Sequence, residues 1–277
     1  MELIRILRYD IYGGILKKIS YYLCGIFLAA VSSIELDNQI TNLHLSENIQ
    51  GDGTFIDYWI YLIQGKDAYT FALDEYYEFP TMWILLYMFY LISTCMHPYT
   101  DLSGIGSQFI VRTKSRDKWW ISKSIWIFLS SILYLSSLLL FIFLYCLVHQ
   151  IPISIKPTWY AMEAFGRNGF LECSQVEIIA ITLILPVFML SVFGMLQMLL
   201  MLKVHPLLSF SVCASLLIVS TYARSYFLIG NLGMPLRMKK IADVGLSWQI
   251  SICILLLIFF FCCFLGLSVL RKKDIYH

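Results

Sequence analysis

Residues 121–149 read ISKSIWIFLSSILYLSSLLLFIFLYCLVH, an almost unbroken apolar run whose only formal charge is at Lys123. A helix needs roughly 20 mostly apolar residues to cross a hydrocarbon core of about 30 Å. This run is longer than that, so a helix formed by it would tilt or extend beyond the membrane interface. It therefore predicts a membrane-spanning helix, and the rest of the chain repeats the pattern.

Composition places the whole chain in the same class. Its 277 residues are 59% hydrophobic and 14% charged, whereas soluble domains carry about 25% charged residues. The apolar runs lack the alternation of barrel strands. The first run follows a charged segment and lacks the small-residue cleavage pattern of a secretory signal. We expect one all-α domain over residues 1–277, a polytopic membrane protein with six transmembrane helices. The predicted spans are residues 18–35, 79–98, 121–149, 177–203, 206–229 and 249–270.

Lysine and arginine residues are divided unequally between the two sides of this arrangement. Thirteen of them lie on the side of both termini and seven on the other side. Loops rich in Lys and Arg stay in the cytoplasm, so we expect both termini to be cytoplasmic. Residues 1–17 place Leu3, Ile6, Asp10 and Ile11 at roughly helical spacing, which predicts an amphipathic helix on the inner leaflet.

The longest predicted outer loop, residues 36–78, is acidic and dense in aromatic residues. A disordered acidic linker would lack those rings. We therefore expect one or two short helices on the outer interface, the first within TFIDYWIYLIQG at residues 54–65. Two interpretations of the loop stay open: the rings form an interfacial aromatic belt, or they form a cap that contacts a substrate.

Three features of the apolar runs predict details of helix packing. Pro186 lies within the fourth run and should kink that helix. Gly194 should allow a neighbouring helix to approach closely. Residues 203–206, KVHP, are the whole connection between the fourth and fifth runs. These two runs should therefore form a tight hairpin, with His205 as a turn residue.

Catalytic patterns are missing from the sequence. No Asp or Glu lies in the apolar cores of the predicted spans, which disfavours ion-coupled secondary transport. Neither H-E-x-x-H nor G-x-x-x-x-G-K-[ST] occurs, so the chain lacks a zinc-protease motif and a phosphate loop. Seven of the eight cysteines fall within apolar runs, where they are expected to be packing residues. We expect no catalytic residue, no metal, no cofactor in this chain and no nucleic-acid partner.

The loop after the second run, residues 99–120, is both basic and aromatic. Apolar residues 109–111 precede a group of cations, and Trp119 and Trp120 follow where the third run begins. Tryptophan is common at membrane interfaces, so this pair is predicted to anchor the chain there. The cations fit either a loop bound to anionic headgroups or a short transverse helix that presents apolar and basic groups to a soluble protein.

With six apolar runs, an amphipathic N-terminal segment and this loop, the chain resembles the permease subunit of exporter-type ABC transporters. FPTMWILLYMFYLI (79–92), GIGSQFIVRTKSRDKWWISK (104–123) and YFLIGNLGMPLRMKK (226–240) are also similar to small permeases of Gram-positive bacteria. The resemblance implies a multi-pass protein of the bacterial plasma membrane. Its partners would be a second permease, identical or related, membrane lipids, and two ATPase subunits that hold ATP and magnesium. In such permeases a coupling helix in the first cytoplasmic loop docks into the ATPase. The docking residues would be Asp101, Gly104, Gln108, Phe109, Arg112, Lys114, Ser115 and Arg116.

In such permeases the link between the last two spans re-enters the outer leaflet as short helices, which residues 226–248 would suit. Arg224 lies eighteen residues after Pro206, about 27 Å along a helix, and is expected at the outer interface. The expected contacts to lipid headgroups or to a departing substrate are Arg224, Asn231, Arg237, Lys239 and Lys240.

The resemblance implies ATP-driven export of a peptide, drug or amphipathic substrate across or out of the membrane. The alternative is a non-transporting sensor or immunity module that binds a peptide at its outer loop. Simpler permeases have a short outer loop, so the long aromatic loop of this chain fits a cap, a partner site or added specificity.

Overall fold

The computed structural model describes residues 2–47, 51, 53–69, 77, 79–113, 115–164, 168–242 and 245–272. These residues form an all-α fold, as predicted, and their only β-type pairing is an isolated bridge between Met238 and Leu246. The α-helices are α1 (Glu2–Gly14), α2 (Ile19–Glu47), α3 (Phe55–Ile63), α4 (Thr81–Cys95), α5 (His97–Leu102), α6 (Ile105–Thr113), α7 (Arg116–Val148), α8 (Trp159–Ala164), α9 (Gln175–Ile179), α10 (Leu185–Met201), α11 (Pro206–Tyr222) and α12 (Trp248–Lys272). Short 3-10 helices cover Leu16–Lys18, Asn168–Glu172, Ile229–Gly233 and Pro235–Arg237.

Four helical segments are long and apolar enough to cross a membrane. They are Ile19–Leu45, Arg116–Val148, Gln175–Met201 and Trp248–Lys272. The other two predicted spans are shorter than expected: α4 has 15 residues and α11 has 17. At about 1.5 Å per residue these two helices are roughly 22 and 25 Å long. Within the described residues, length and composition therefore support four of the six predicted spans.

Helix α7 packs against α1, α2, α10 and α12. Near the start of α7, the Trp120 indole donates to the Cys263 carbonyl of α12 at 3.0 Å. Farther along, the Ser131 and Ser191 hydroxyls join α7 to α10 at 2.7 Å. We call the end of the molecule that holds α1, α5 and α6 the terminal end, and the end that holds α3 and residues 223–242 the loop end.

Glycines on four neighbouring helices face large side chains of α7. These glycines are Gly14, Gly25, Gly194 and Gly266. A Cβ atom at Gly194 would lie 2.7 Å from Cγ2 of Ile127, so the close helix approach predicted at this glycine is confirmed. A Cβ atom at Gly266 would lie 1.8 Å from Cζ2 of Trp120, which leaves no space for a side chain.

The predicted hairpin between the fourth and fifth runs is confirmed. Helix α10 ends at Met201 and α11 begins at Pro206. His205 caps the start of α11, because its Nδ1 accepts a hydrogen bond from the Leu207 N–H at 3.3 Å. His205 is therefore a turn residue, as the sequence predicted.

The fourth run is irregular directly before Pro186. Residues Ala180–Ile184 form a π-helical turn between α9 and α10. Pro186 has no N–H to donate to the Thr182 carbonyl four residues earlier. The Trp59 indole of α3 donates to that carbonyl instead, at 3.1 Å. Helix α3 thus supplies the hydrogen bond that Pro186 cannot make.

Helix α3 forms within residues 54–65 as predicted. It is buried in the bundle instead of lying on its surface, and its position at the outer interface stays a prediction. Seven of its nine residues are buried, and the helix packs against α2, α4 and α7. The prediction relied on the acidic and aromatic composition of residues 36–78. The only charged residue of α3 is Asp57, and its carboxylate accepts from the Thr158 hydroxyl at 2.6 Å inside the protein. Residues 36–47, assigned to the outer loop, instead continue α2.

Candidate functional site

Four ionisable side chains lie buried together at the terminal end. We call them the buried ionic cluster: Asp10, His97, Asp101 and Lys123. Helix α1 contributes Asp10, α5 contributes His97 and Asp101, and α7 contributes Lys123. Three segments that are far apart in the sequence are therefore joined at one point.

Lys123 is the centre of this cluster and is 0% exposed. Its ammonium group pairs with the Asp10 carboxylate and, at 2.7 Å, with Oδ2 of Asp101. Nε2 of His97 lies 3.4 Å from the Asp10 carboxylate and 3.5 Å from Nζ of Lys123. One lysine thus holds two carboxylates from different helices, with a histidine beside them.

Two neutral donors complete the surroundings of the carboxylates. The Ser122 hydroxyl donates to Asp10 and the Trp119 indole donates to Asp101, each at 2.8 Å. Burial by itself would raise the pKa of Asp10. The hydrogen bond to His97 and the charge and hydrogen bond of Lys123 outweigh burial and hold that pKa below its ordinary value. Asp10 is therefore ionised at neutral pH and binds α1 to α7 by charge.

The N-terminal helix predicted for residues 1–17 is confirmed as α1. Ile6 and Asp10, one turn apart, are buried, whereas Ile4 and Tyr12 are exposed. One side of α1 therefore packs on the protein, and its position on the inner leaflet stays a prediction.

The loop after the second run forms two short helices, and α6 is fixed directly to the cluster. A Cβ atom at Gly106 would lie 2.5 Å from Oδ2 of Asp101 and 2.7 Å from Nε1 of Trp119. Only glycine fits at this contact. The opposite side of α6 is open: Ile105 is 47% exposed and Val111 48% exposed, with Gln108 exposed between them. We call Ile105, Gln108 and Val111 the open face of α6.

The predicted docking residues do not share one surface. Gln108 is exposed, and Gly104 and Phe109 are half-buried. Asp101 is not a docking residue on this surface, because its carboxylate is buried between Lys123 and the Trp119 indole. The side chain of Arg112 and the whole of Lys114 lie outside the described residues.

The docking role predicted for Ser115 and Arg116 does not fit their contacts. Ser115 caps the start of α7 by accepting from the Lys118 N–H at 3.4 Å. The Arg116 guanidinium donates to the carbonyls of Leu270 and Arg271 at 3.0 and 2.7 Å. Arg116 therefore closes the C-terminal end of α12, where cations are favourable.

The predicted interface anchors are internal packing residues. Trp119 and Trp120 are buried, and their indole N–H groups are bonded to Asp101 and to the Cys263 carbonyl. The prediction relied on the preference of tryptophan for interfaces. Here the rings lie under α6 and α12 instead, and so an interfacial role is wrong for both.

At the loop end, Arg237 is buried and binds backbone rather than lipid. Its guanidinium donates to the carbonyls of Ser220 and Ala223, both at 2.8 Å, at the end of α11, and to the Asn231 side chain. It also reaches the Lys66 carbonyl at 3.0 Å. Burial lowers the pKa of Arg237 to about 10, so the group stays charged at neutral pH. The predicted contact with lipid or substrate is wrong for Arg237, which caps a helix.

The other predicted outer contacts fall into two groups. Asn231 is buried, and its amide donates to the Ala223 carbonyl at 2.6 Å, so it also caps α11. Arg224 is half-buried, whereas Lys239 and Lys240 are exposed. Lys240 pairs with Glu177 at 2.7 Å. The segment predicted to re-enter contains two 3-10 helices whose residues are buried against the bundle.

Sequence reasoning did not find the buried ionic cluster. The sequence predicts Asp10 on a helix at the inner leaflet and Lys123 inside the apolar run of residues 121–149. Two signals were present: an acid on the apolar face of a short helix, and a lysine inside an apolar run. Their pairing joins residues more than one hundred positions apart, and no motif marks it.

Other chemistry is limited in the described part of the chain. No group of three His, Cys, Asp or Glu residues there is arranged to hold a metal ion. All eight cysteines are free thiols.

The family described as "Protein of unknown function (DUF2705)" matches residues 26–276. No curated protein and no solved structure matches the chain.

Proposed function

The chain belongs to the DUF2705 family, and we propose that it is the transmembrane permease subunit of an ATP-driven ABC exporter. It would lie in the bacterial plasma membrane and move a peptide, drug or amphipathic substrate. The observation that carries this proposal is the open face of α6, where two exposed apolar residues flank Gln108 on a helix fixed to the buried ionic cluster. Such a surface suits docking to a soluble partner.

In the proposed mechanism, a movement of the ATPase is transmitted through the contact between α6 and the buried ionic cluster. An ATPase docked on α6 would push α6 and α5 together, because Gly106 lies directly against Asp101. Asp101 is paired with Lys123 of α7, which is also paired with Asp10 of α1. The push would therefore reach α7 and α1 at once, and α7 extends 33 residues toward the loop end.

The proposal includes six crossings, with α4 and α11 as the two short ones. Helix α4 is continued at the terminal end by α5 after a break at Met96. Helix α11 is closed at the loop end by the charged Arg237, which satisfies its last carbonyls. Capped ends of this kind allow a short helix to stop inside a membrane without exposing its backbone.

A second permease subunit, identical or related, is part of the proposal. Helix α12 exposes a continuous apolar surface that includes Leu257, Phe260, Phe261 and Phe264. Lipid or the second permease would cover this surface.

Co-purification tests the proposal. The full-length protein is expressed with each of a set of candidate Walker-motif ATPases and is purified in detergent. We expect the ATPase to co-purify with the wild type. The amount of ATPase that co-purifies with the double variant Ile105→Glu/Val111→Glu should be at least about tenfold lower, because two charges would enter an apolar contact. Leu45→Glu is the matched control, since Leu45 is 80% exposed at the loop end.

The outcomes separate the parts of the proposal. A wild-type protein that retains no ATPase overturns the permease assignment. A double variant that retains the ATPase like wild type, with unchanged ATP hydrolysis, overturns the docking role of α6 and leaves the permease assignment standing.

A further inference from the structure

A cavity of about 300 Å³ lies at the loop end, between the second half of α2, the segment before α3 and the end of α7. Its polar lining includes Asp37, Thr41 and His44 of α2 and His149 and Gln150 at the end of α7. The described residues that line it include no lysine and no arginine. Pockets for drug-sized ligands measure roughly 300–1,000 Å³, so this cavity suits a small molecule or a single side chain.

Asp37 supplies the only carboxylate among the described lining residues, and it is half-buried. One of its oxygens accepts from the Tyr58 hydroxyl and the other from the Tyr145 hydroxyl. A carboxylate offers about four acceptor positions, so positions remain for a ligand. Within the described part of the chain, no cation forms an ion pair with Asp37. Because charges removed from water are usually paired, this carboxylate favours a ligand that carries a cation.

His44 adds a second acceptor to the lining. Its Nε2 atom lies 2.7 Å from the Gly51 carbonyl, whereas the Gly51 N–H is farther from the same atom, at 3.3 Å. The shorter contact joins Nε2 to a carbonyl oxygen, so Nε2 carries the proton. In a neutral imidazole the other ring nitrogen, Nδ1, is then an acceptor. The lining thus combines an imidazole acceptor with the carboxylate.

Gln150 has a backbone conformation that normally selects glycine. Its φ is +58°, and the Ile151 N–H donates to the Cys146 carbonyl at 2.8 Å across it. This is the turn that closes a helix with a left-handed residue, usually glycine. A glutamine at such a position strains the backbone. A role of its side chain explains why it is present, and that residue lines the cavity.

The walls of the cavity are held in place by contacts outside it. The segment before α3 is fixed because the Phe55 N–H donates to the Pro152 carbonyl at 3.0 Å. The His149 ring stacks on Tyr145, with the ring centroids 4.3 Å apart. The cavity is therefore built before a ligand arrives, which lowers the entropic cost of binding.

We propose that this cavity binds a primary ammonium group on an apolar stem. The ammonium group donates to the Asp37 carboxylate, to Nδ1 of His44 and to the amide oxygen of Gln150, which together match its three N–H donors. The stem contacts Ile40 and Ile151, which line the same cavity. Two sources carry this chemistry: a free alkylamine and the lysine side chain of a peptide. The inference goes beyond the proposed export function and needs no ATPase.

Calorimetry on the purified full-length protein tests the proposal. The protein is placed in nanodiscs of phosphatidylcholine alone, so that no anionic lipid competes for the cation. The three probes are butylammonium, N-acetyl-L-lysinamide and N-acetyl-L-norleucinamide, of which the last has the stem of lysine without its ammonium group. The lysine probe is expected to bind and the norleucine probe is expected not to bind. Tighter binding of the lysine probe than of butylammonium assigns the site to peptide side chains, and the reverse order assigns it to free amines.

Asp37→Asn locates the binding, because it removes the charge with no change of size. It should weaken binding of the tighter ammonium probe at least about tenfold, as the loss of a charged hydrogen bond predicts. Glu35→Gln is the matched control, since Glu35 is an exposed acid of the same helix outside this cavity. It should bind like wild type. Thermal unfolding of each variant verifies that it is folded.

Gln150→Gly separates a binding role from a structural one. Glycine suits the left-handed position, so this variant should unfold at a higher temperature than wild type. It should nevertheless bind the ammonium probe severalfold more weakly, because the amide oxygen is lost. A residue with only a structural role would show the first effect without the second.

Three results would overturn the inference. The first is wild-type protein that binds neither ammonium probe. The second is the norleucine probe binding as tightly as the lysine probe. The third is folded Asp37→Asn protein binding like wild type or, where Asp37→Asn does not fold, Gln150→Gly protein doing so. ATPase co-purification is unaffected by any of them, so this inference and the permease proposal fail independently.

Discussion

Lys123 has no exposed surface, and its ammonium group is neutralised by carboxylates from two other helices. Replacing a buried ion pair by apolar residues is often neutral, whereas removing one partner leaves an uncompensated charge. The buried ionic cluster is therefore most sensitive to the loss of its single lysine. Its contribution is to specify how α1, α5 and α7 meet.

Lys123→Met should destabilise the protein by about 3–5 kcal/mol, because Asp10 and Asp101 lose their cation. The measurement is thermal unfolding of purified protein in detergent. Lys118→Met changes an exposed cation of the same helix and should shift stability by no more than about 0.5 kcal/mol. Equal unfolding temperatures for the two variants would contradict the central role of Lys123.

The cluster also predicts a dependence on acid. The pKa of Asp10 is lower in the folded protein than the ordinary value of 3.8. A lowered carboxyl pKa stabilises the fold above the unfolded value, and this stabilisation is lost as the pH falls through the folded value. Unfolding temperature should therefore decrease below about pH 4, and Asp10→Asn should make that decrease shallower. If the unfolding temperatures of the wild type and of Asp10→Asn changed in parallel between pH 3 and pH 7, Asp10 would not contribute to the acid sensitivity.

At the scale of elements, α3 and the π-helical turn depend on each other. The Trp59 indole binds the Thr182 carbonyl that Pro186 cannot serve. Trp59→Phe should leave this buried carbonyl unpaired and cost about 1–3 kcal/mol. In a Pro186→Ala background the new N–H at position 186 can bind that carbonyl, so the same substitution should cost less. A double-mutant cycle on unfolding temperatures measures the difference, and additive effects would disprove the coupling.

The contact between α7 and α12 leads to a second prediction about how helices pack. Gly266→Ala places a methyl group in the ring of Trp120 and should destabilise the protein by about 1–3 kcal/mol through overpacking. Ser268→Ala, an exposed position of α12, is the control and should change stability little. An unfolding temperature unchanged by Gly266→Ala would show that the two helices separate without cost.

The positions of the helices along the chain could be predicted from the sequence, whereas the residues that each helix contacts in the fold could not. Runs such as 121–149 are long and uniformly apolar, and the KVHP turn leaves no room for anything but a hairpin. The burial of α3 could not be predicted, because aromatic side chains that suit a membrane interface suit a protein interior equally well. The same ambiguity explains Trp119 and Trp120, whose partners lie on other helices.

At the scale of the whole molecule, the proposed six crossings place the terminal end and the loop end on opposite sides of a membrane. Gln108 is exposed at the first and Phe227 at the second. In a variant without the eight native cysteines, Phe227→Cys should react with a membrane-impermeant maleimide in intact cells. Gln108→Cys should react only after the cells are permeabilised. Labelling of both positions in intact cells would contradict the crossing pattern, and the reverse pattern would invert the orientation.

The candidate sites depend on pairings that only the folded chain reveals. The exposed position of Gln108 agrees with the docking loop read from the sequence, but Asp101 and Arg116 face inward because each has a partner that is distant in the chain. The charge of Arg237 predicts an exposed side chain. In the folded chain it is buried instead, because the carbonyls at the end of α11 accept hydrogen bonds from its guanidinium.

The four glycines around α7 limit how that helix can move. Each of them packs against one large side chain of α7, so that α7 is interlocked with four neighbouring helices. Sliding along its axis by even one residue, about 1.5 Å, would drive these side chains against backbone. Rotation about the axis meets the same obstacle. We therefore expect α7 to travel only as a rigid group with α1, α2, α10 and α12, and any opening of the molecule to occur where these helices meet α4 and α11.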